Sequence, residues 1–227
     1  PPSPPPYPPL VFDYPFQCVG IAPMPRKFYG AAAAPNGLVV FAPRNADCVG
    51  TFNAATSAYS CVDIKSTISS NWKFAGAAVA PNGVVVFAPY NTDCLGTFNP
   101  DTSAFACTNI GSIVGGNNKF SFAAVSNGLV VFAPHSADCV GTFDAAANAF
   151  SCVSITSTIT MWDKFNGAAV APNGLVVFAP ADADCVGTFD TATSAFTCVD
   201  ITSTLSSNRK FRGAATSPNG LVVIAPN

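Results

Sequence analysis

Cysteine is the residue whose number and spacing in this chain point most directly to chemistry. Eight of the nine cysteines form pairs thirteen positions apart: Cys48 and Cys61, Cys94 and Cys107, Cys139 and Cys152, and Cys185 and Cys198. Zinc sites use cysteines only a few residues apart, and this chain has a single histidine, so the pattern predicts four disulfides and no metal site. Cys18 matches the second member of a pair but has no first member. We expect a buried free thiol there, with an intermolecular bridge as the alternative.

Acidic and basic side chains recur without forming a recognisable catalytic set. All twelve acidic residues are aspartate, and an aspartate precedes the first cysteine of each pair: Asp47, Asp93, Asp138 and Asp184. These carboxylates either ring a central channel and hold a cation, or accept backbone amides and pair with a recurring lysine; we expect the second arrangement. A glycosidase needs two carboxylates with different pKa values, whereas the aspartates here stand at structurally repeated positions. A Ser-His-Asp triad needs a histidine, and the single histidine, His135, stands at a variable loop position. The chain is therefore predicted not to be an enzyme and to need no cofactor.

The two tryptophans, Trp72 and Trp162, lie in polar loops. Each indole either packs over a neighbouring structural unit or stacks on a sugar ring. We expect packing, and retain both residues as weak ligand-binding candidates.

A sequence motif close to KF-x-GAAVAPNGLVVFAP-x-x-ADCVGTFD recurs along the chain, and the residues described above stand at fixed places in or beside it. The glycine of its Asn-Gly pair stands at Gly37, Gly83, Gly128, Gly174 and Gly220. Each copy predicts four strands in two hairpins; in the second copy they span 76–80, 84–88, 94–98 and 105–110. Four antiparallel strands in a unit of this length are the blade of a β-propeller.

The two ends of the chain complement one another. Residues 213–226 supply only the first hairpin of a fifth copy, whereas residues 10–13 and 16–21 match its third and fourth strands. The predicted fold is therefore all-β: a five-bladed propeller over residues 10–227, closed by two half-blades, with one disulfide in each complete blade. Closure within one chain and a swap between chains satisfy the same hydrogen bonds. Residues 1–9, rich in proline, predict a polyproline II arm.

Composition narrows the setting in which this chain works. Charged residues make up 10% and the net charge is -2, which disfavours nucleic acid as a partner. No apolar stretch is long enough for a membrane span. Paired cysteines are typical of oxidising compartments, so we expect a secreted, extracellular protein.

The repeats resemble kelch- and NHL-type propeller repeats, and more closely the tandem APNG-x-VVFAP repeats of predicted algal and protist proteins. Ser3, Pro4, Pro5, Pro6 and Tyr7 resemble the extensin motif of hydroxyproline-rich cell-wall glycoproteins. That resemblance implies glycans on Ser3 or on hydroxylated Pro4, Pro5 and Pro6.

Two functions fit this sequence. The first is an extracellular structural glycoprotein whose propellers assemble with one another into a wall, sheath or fibre. The alternative is a carbohydrate-binding or adhesion propeller. The exposed loop positions vary between repeats while the core motif recurs, which favours the structural function over a site repeated in every blade.

Overall fold

The computed structural model describes Gly20 and residues 26–227, which form eighteen β-strands. The strands are β1 (Phe28–Ala33), β2 (Leu38–Pro43), β3 (Cys48–Asn53), β4 (Ala58–Asp63), β5 (Phe74–Val79), β6 (Val85–Pro89), β7 (Cys94–Asn99), β8 (Ala104–Asn109), β9 (Phe120–Ser126), β10 (Leu129–Pro134), β11 (Cys139–Asp144), β12 (Ala149–Ser154), β13 (Phe165–Val170), β14 (Val176–Pro180), β15 (Cys185–Asp190), β16 (Ala195–Asp200), β17 (Phe211–Thr216) and β18 (Val222–Pro226). In the part of the chain described here, no helix could cross a membrane.

The strands form five antiparallel sheets, the blades of a β-propeller. Blades 1 to 4 are β1–β4, β5–β8, β9–β12 and β13–β16, each with its strands in sequence order, and blade 5 is the pair β17–β18. Each complete blade carries one disulfide. The five sheets confirm the predicted five-bladed architecture. The strands predicted at residues 10–21, the arm at 1–9 and Cys18 lie outside the described residues.

The first hairpin of each blade turns where the Asn-Gly pair predicts. In blade 2 the Ala80 amide donates to the Val84 carbonyl, the Gly83 amide donates to the Ala80 carbonyl, and Gly83 has a φ of 83°. Asn82 Oδ1 accepts the Val84 amide. The Asn82 side chain therefore accepts a turn amide, and Gly83 supplies the positive φ angle that the turn requires.

The second hairpin differs from the predicted register. A turn centred on Ala54 and Ala55 predicts that the two cysteines lie directly opposite one another. In the structure Cys48 faces Asp63 and Cys61 faces Gly50, so the pair is diagonal. The cause is a four-residue turn, in which Asn53 Oδ1 accepts the two amides that follow Ala54 and Ser57 takes a φ of 55°. The paired Cα atoms still lie 5.2 to 5.5 Å apart in the four blades, within disulfide reach.

The core lies between the blades. Phe74, Phe87 and Phe98 of blade 2 are fully buried against a cluster that includes Val40 and Ala42 of blade 1. The same pattern recurs between blades 2 and 3 and between blades 3 and 4. The apolar second strand is therefore covered on both faces, as its lack of alternation predicts.

The innermost strands approach one another closely. A Cβ atom on Gly30 would lie 2.8 Å from the Cα atom of Gly76 in the next blade, and both glycines have positive φ angles. A larger residue would push the two inner strands apart, which explains the small Gly-Ala-Ala segment of the repeat.

Buried lysines connect each blade to the blade before it. Lys119 Nζ lies 3.0 Å from Asp93 Oδ1 and donates to the Thr92 carbonyl of blade 2. The other pairs, Lys73 with Asp47, Lys164 with Asp138 and Lys210 with Asp184, span 3.5 to 3.8 Å. The recurring aspartates therefore pair with lysine, and their carboxylates lie at the blade seams.

Replacing Asp93 by asparagine is expected to lower the free energy of unfolding by about 1–2 kcal/mol, because the buried Lys119 ammonium loses its charged acceptor, while water screens part of the interaction at the exposed Asp93. Urea denaturation measures the effect. Asp63→Asn is the matched control, since exposed Asp63 accepts only the Lys65 amide, which asparagine can also accept. Equal stabilities for the two variants would contradict a contribution from the inter-blade pair.

Blade 5 exposes apolar residues that are more buried in the complete blades. Leu221 is 63% exposed and Val223 is 58% exposed. At the position of Val223, Val40, Val86 and Val131 are fully buried and Val177 is partly buried, and the equivalents of Leu221 are partly buried. Within the described part of the chain, the outer edge of β18 pairs with no strand. This edge is where residues 10–21 are predicted to add.

Deleting residues 1–21 is expected to lower the melting temperature by roughly 10–20 °C, because several buried apolar side chains, together worth about 5 kcal/mol, would be lost from blade 5. Deleting only residues 1–9 is the control and should leave the melting temperature unchanged. Thermal unfolding followed by circular dichroism checks both variants. Identical melting curves for the two deletions would overturn the predicted closure.

Size-exclusion chromatography of the intact chain separates closure within one chain from a swap between chains. Closure within one chain gives a monomer, and a swap gives a larger assembly.

Candidate ligand-binding cavity

Three positions of the repeat vary in residue type while the surrounding motif recurs, and all of them line one cavity of about 660 Å³. The position before the recurring lysine is occupied by Arg26, Trp72, Asn118, Asp163 and Arg209. The position two residues after that lysine is occupied by Tyr29, Ala75, Ser121, Asn166 and Arg212. The position after the proline that ends the second strand is occupied by Arg44, Tyr90, His135, Ala181 and Asn227. These fifteen residues account for all but three of the eighteen that line the cavity.

The backbone at the first of these positions is held in an unusual conformation. All five residues have φ angles between 51° and 58°, in the left-handed region that residues other than glycine rarely adopt. The backbone amide of Trp72 donates to Asn45 Oδ1 of the preceding blade at 3.0 Å, and those of Asn118 and Arg209 donate to equivalent side chains. These three loops are therefore fixed between two blades, and the variable side chains of all five line the cavity.

Aromatic rings surround one buried guanidinium group. Arg44 is 7% exposed, and its Cζ atom lies 4.5 Å from the ring centroid of Tyr29, 4.2 Å from that of Trp72 and 4.8 Å from that of Tyr90. Burial lowers the pKa of Arg44, although the guanidinium stays protonated at any physiological pH. Arg26 also lies over Trp72, at 4.7 Å. These cation–π contacts stabilise an electropositive aromatic wall.

His135 and Asp163 form a hydrogen-bonded pair in the same cavity. His135 Nδ1 lies 3.1 Å from Asp163 Oδ1, and the Tyr90 ring packs against the imidazole edge at 5.6 Å between centroids. Burial lowers the pKa of His135, and the nearby Asp163 carboxylate opposes that shift. A neutral imidazole that donates from Nδ1 to Asp163 leaves Nε2 as a hydrogen-bond acceptor.

The charge of the cavity is opposite to that of the whole chain. All four arginines of the sequence line the cavity, together with two carboxylates, Asp163 and Asp182. The chain as a whole has a net charge of -2. The cavity therefore concentrates positive charge on an acidic protein.

The structure separates the two tryptophan candidates. Trp72 lines the cavity, whereas Trp162 is 77% exposed and lies outside it. Trp162 stands one residue earlier in its repeat than Trp72, since Asp163 is the residue that precedes the lysine.

The other candidate residues lie away from the cavity or outside the described residues. The disulfides lie in the outer strands, and Ser3, Pro4, Pro5 and Pro6 fall outside the described residues. Among residues 26–227, no group of three metal-ligating side chains is close enough to hold a metal ion.

In the sequence, His135 stands at a variable loop position, and variation between repeats disfavours a binding site repeated in every blade. In the structure, three of the variable positions of each repeat line one cavity, His135 among them. A recurring frame that carries different residues at these three positions encloses one asymmetric cavity.

Comparison with solved structures shows the fold class. The chain is similar to a catalytically inactive virginiamycin B lyase from Staphylococcus aureus with quinupristin, at 13% identity and a TM-score of 0.73, covering 95% of this chain and 75% of the lyase. It is also similar to the extracellular domain of the one component system BT4673 from B. thetaiotaomicron, at 10% identity and a TM-score of 0.66, covering 92% of this chain and 27% of the other.

A third similar structure is Kuenenia stuttgartiensis hydrazine synthase, at 11% identity and a TM-score of 0.64, covering 93% of this chain and 59% of the other. No family model and no curated protein matches the sequence. At these identities the likeness shows the propeller fold alone.

The imidazole of His135 is expected to titrate below pH 6.5, because burial disfavours its charged form. As the chain has one histidine, a single NMR titration curve of the imidazole protons gives its pKa directly. Asp163→Asn should lower this pKa further, since the carboxylate that favours the imidazolium is removed. The unfolded chain binds a proton at higher pH than the folded chain does, so stability should fall as the pH drops below 6.5. A midpoint above 6.5 would contradict the buried environment.

Proposed function

We propose that this chain is an extracellular carbohydrate-binding propeller that holds its ligand in the axial cavity. The observation that carries this proposal is that the fifteen residues at three variable repeat positions all line that one cavity. A structural scaffold alone gives no reason for variable residues of every repeat to meet in one cavity. Aromatic rings and the amide side chains of Asn118 and Asn166 supply the contacts that sugar rings and hydroxyl groups require.

The compartment follows from the cysteines. Four disulfides within one small chain are typical of proteins in oxidising surroundings. Solved structures similar to this chain include extracellular domains from B. thetaiotaomicron. Both observations support a secreted or cell-surface protein.

The proposed activity is binding without turnover. Ser121 supplies a hydroxyl group to the cavity wall, and its Oγ donates to the Phe165 carbonyl at 2.9 Å instead of to His135. His135 is hydrogen-bonded to Asp163, so no nucleophile and base are paired among the described residues of the wall. One similar structure is a lyase, but its low identity extends only to the fold.

Binding of the intact chain to a glycan array tests this function. Trp72→Ala is expected to weaken binding at least tenfold, because it removes an aromatic face from the cavity. Trp162→Ala is the matched control and should bind like the wild type, since this indole is exposed outside the cavity. Asn166→Ala serves as a second cavity variant that leaves the aromatic wall intact. Absence of glycan binding, or equal binding by all variants, would contradict the proposal.

The exposed edge of β18 favours a second function, that of a structural subunit. If residues 10–21 of one chain complete blade 5 of another, propellers join head to tail into a fibre. In that assembly the proline-rich arm, with glycans at Ser3, Pro4, Pro5 or Pro6, projects between subunits. The size-exclusion measurement described for the N-terminal deletions distinguishes the two functions, because a fibre subunit elutes as a polymer.

A further inference from the structure

Among the described residues, the four arginines of the cavity have no carboxylate partner. Arg26, Arg44, Arg209 and Arg212 form no salt bridge with any described carboxylate. The two carboxylates that share the cavity are already engaged. Asp163 pairs with His135 Nδ1, and Asp182 Oδ1 accepts the backbone amide of Arg209 at 2.7 Å. The positive charge of the wall is therefore left for a ligand to neutralise.

Arg44 is the most constrained of these cations. Its side chain is more than nine-tenths buried, and three aromatic rings hold its guanidinium group within 4.8 Å of their centroids. Its Nε atom is buried and donates to no acceptor among the described residues. A buried, unpaired donor on a cation is costly, so the site is arranged for an acceptor that comes from outside the protein.

An oxyanion fits these donors. The planar guanidinium fork donates two parallel hydrogen bonds to a carboxylate or a sulfate, and such charge-assisted bonds are stronger than neutral ones. Rings stacked on Arg44 hold the fork in place, which reduces the entropy lost when a ligand binds. Arg26, Arg209 and Arg212 add an attractive field at the same cavity.

We propose that the cavity recognises an acidic saccharide through its carboxylate or sulfate group, with Arg44 as the principal contact. This inference rests on the proposed carbohydrate-binding function and specifies the class of sugar. Asn118 and Asn166, on the same wall, donate to and accept from the neutral hydroxyl groups of the ring.

Fluorescence of Trp72 provides the test. The chain has two tryptophans, so Trp162→Phe leaves Trp72, which lies 4.2 Å from Arg44, as the single indole reporter. Glucuronate and glucose have similar shapes and differ in the carboxylate; glucose 6-sulfate carries the alternative oxyanion, and inorganic sulfate carries no sugar. We expect glucuronate or glucose 6-sulfate to bind at least tenfold more tightly than glucose, with an affinity that falls as salt is added.

Substitution of the arginine locates the contact. Arg44→Gln in the Trp162→Phe background is expected to remove the tenfold ratio between the glucuronate and glucose affinities, because only the acidic sugar loses a charged partner. Arg212→Gln, at an exposed strand position, is a second variant that spares the aromatic wall; it should reduce the preference about threefold. Lys65→Gln, an exposed cation outside the cavity, is the control and should change nothing.

Each other outcome overturns a defined part of the proposal. Equal binding of glucose and glucuronate would leave the carbohydrate site standing and overturn its acidic specificity. If inorganic sulfate binds as tightly as the acidic sugars, the cavity is an oxyanion site, and the proposal that its ligand is a saccharide is wrong. An unchanged preference for the acidic sugar in both arginine variants would show that Arg44 is not its principal contact. No response to any of the four probes, with no ligand on the glycan array, would overturn the proposed function as well.

Discussion

Buried lysine ammonium groups are the constraint on which the rest of this structure depends. An ammonium ion can be taken out of water only if charge and hydrogen bonds compensate for its lost hydration. In this propeller the compensation comes from the preceding blade: Lys119 reaches both Asp93 and the Thr92 carbonyl across the seam. Each blade is therefore held at a defined position against the blade before it, and the residues beside each lysine lie on the cavity wall.

The ion pairs divide the repeat into a frame and a set of variable side chains. Positions that pack or pair at the seams, such as Lys73 and Phe74, recur because all seams have nearly the same geometry. The residues on either side of Lys73 and Phe74 meet no such requirement. Trp72 and Ala75 are accordingly replaced by other residues in the other blades, and a ring of similar blades encloses an asymmetric cavity.

Local features of the fold were predictable because they depend on residues close together in the chain. The Asn82-Gly83 turn and the cysteine pairs are examples, and both are found in the structure. The register of the second hairpin was predicted wrongly, because the left-handed conformation of Ser57 in a four-residue turn leaves no clear pattern in the sequence. Trp72 and Trp162 looked equivalent because a shift of one residue within a loop has no visible consequence until the loop is folded.

The sequence by itself determined the blade, its disulfide and the number of blades, because hydrophobic patterning, turn residues and cysteine spacing act within a single repeat. Only the tertiary structure decided the cavity. Arg44, Trp72 and His135 belong to three different repeats and show no common pattern along the chain. They line one cavity because the packed seams arrange the blades around an axis, and the charge of that cavity is the sum of contributions that no single repeat contains.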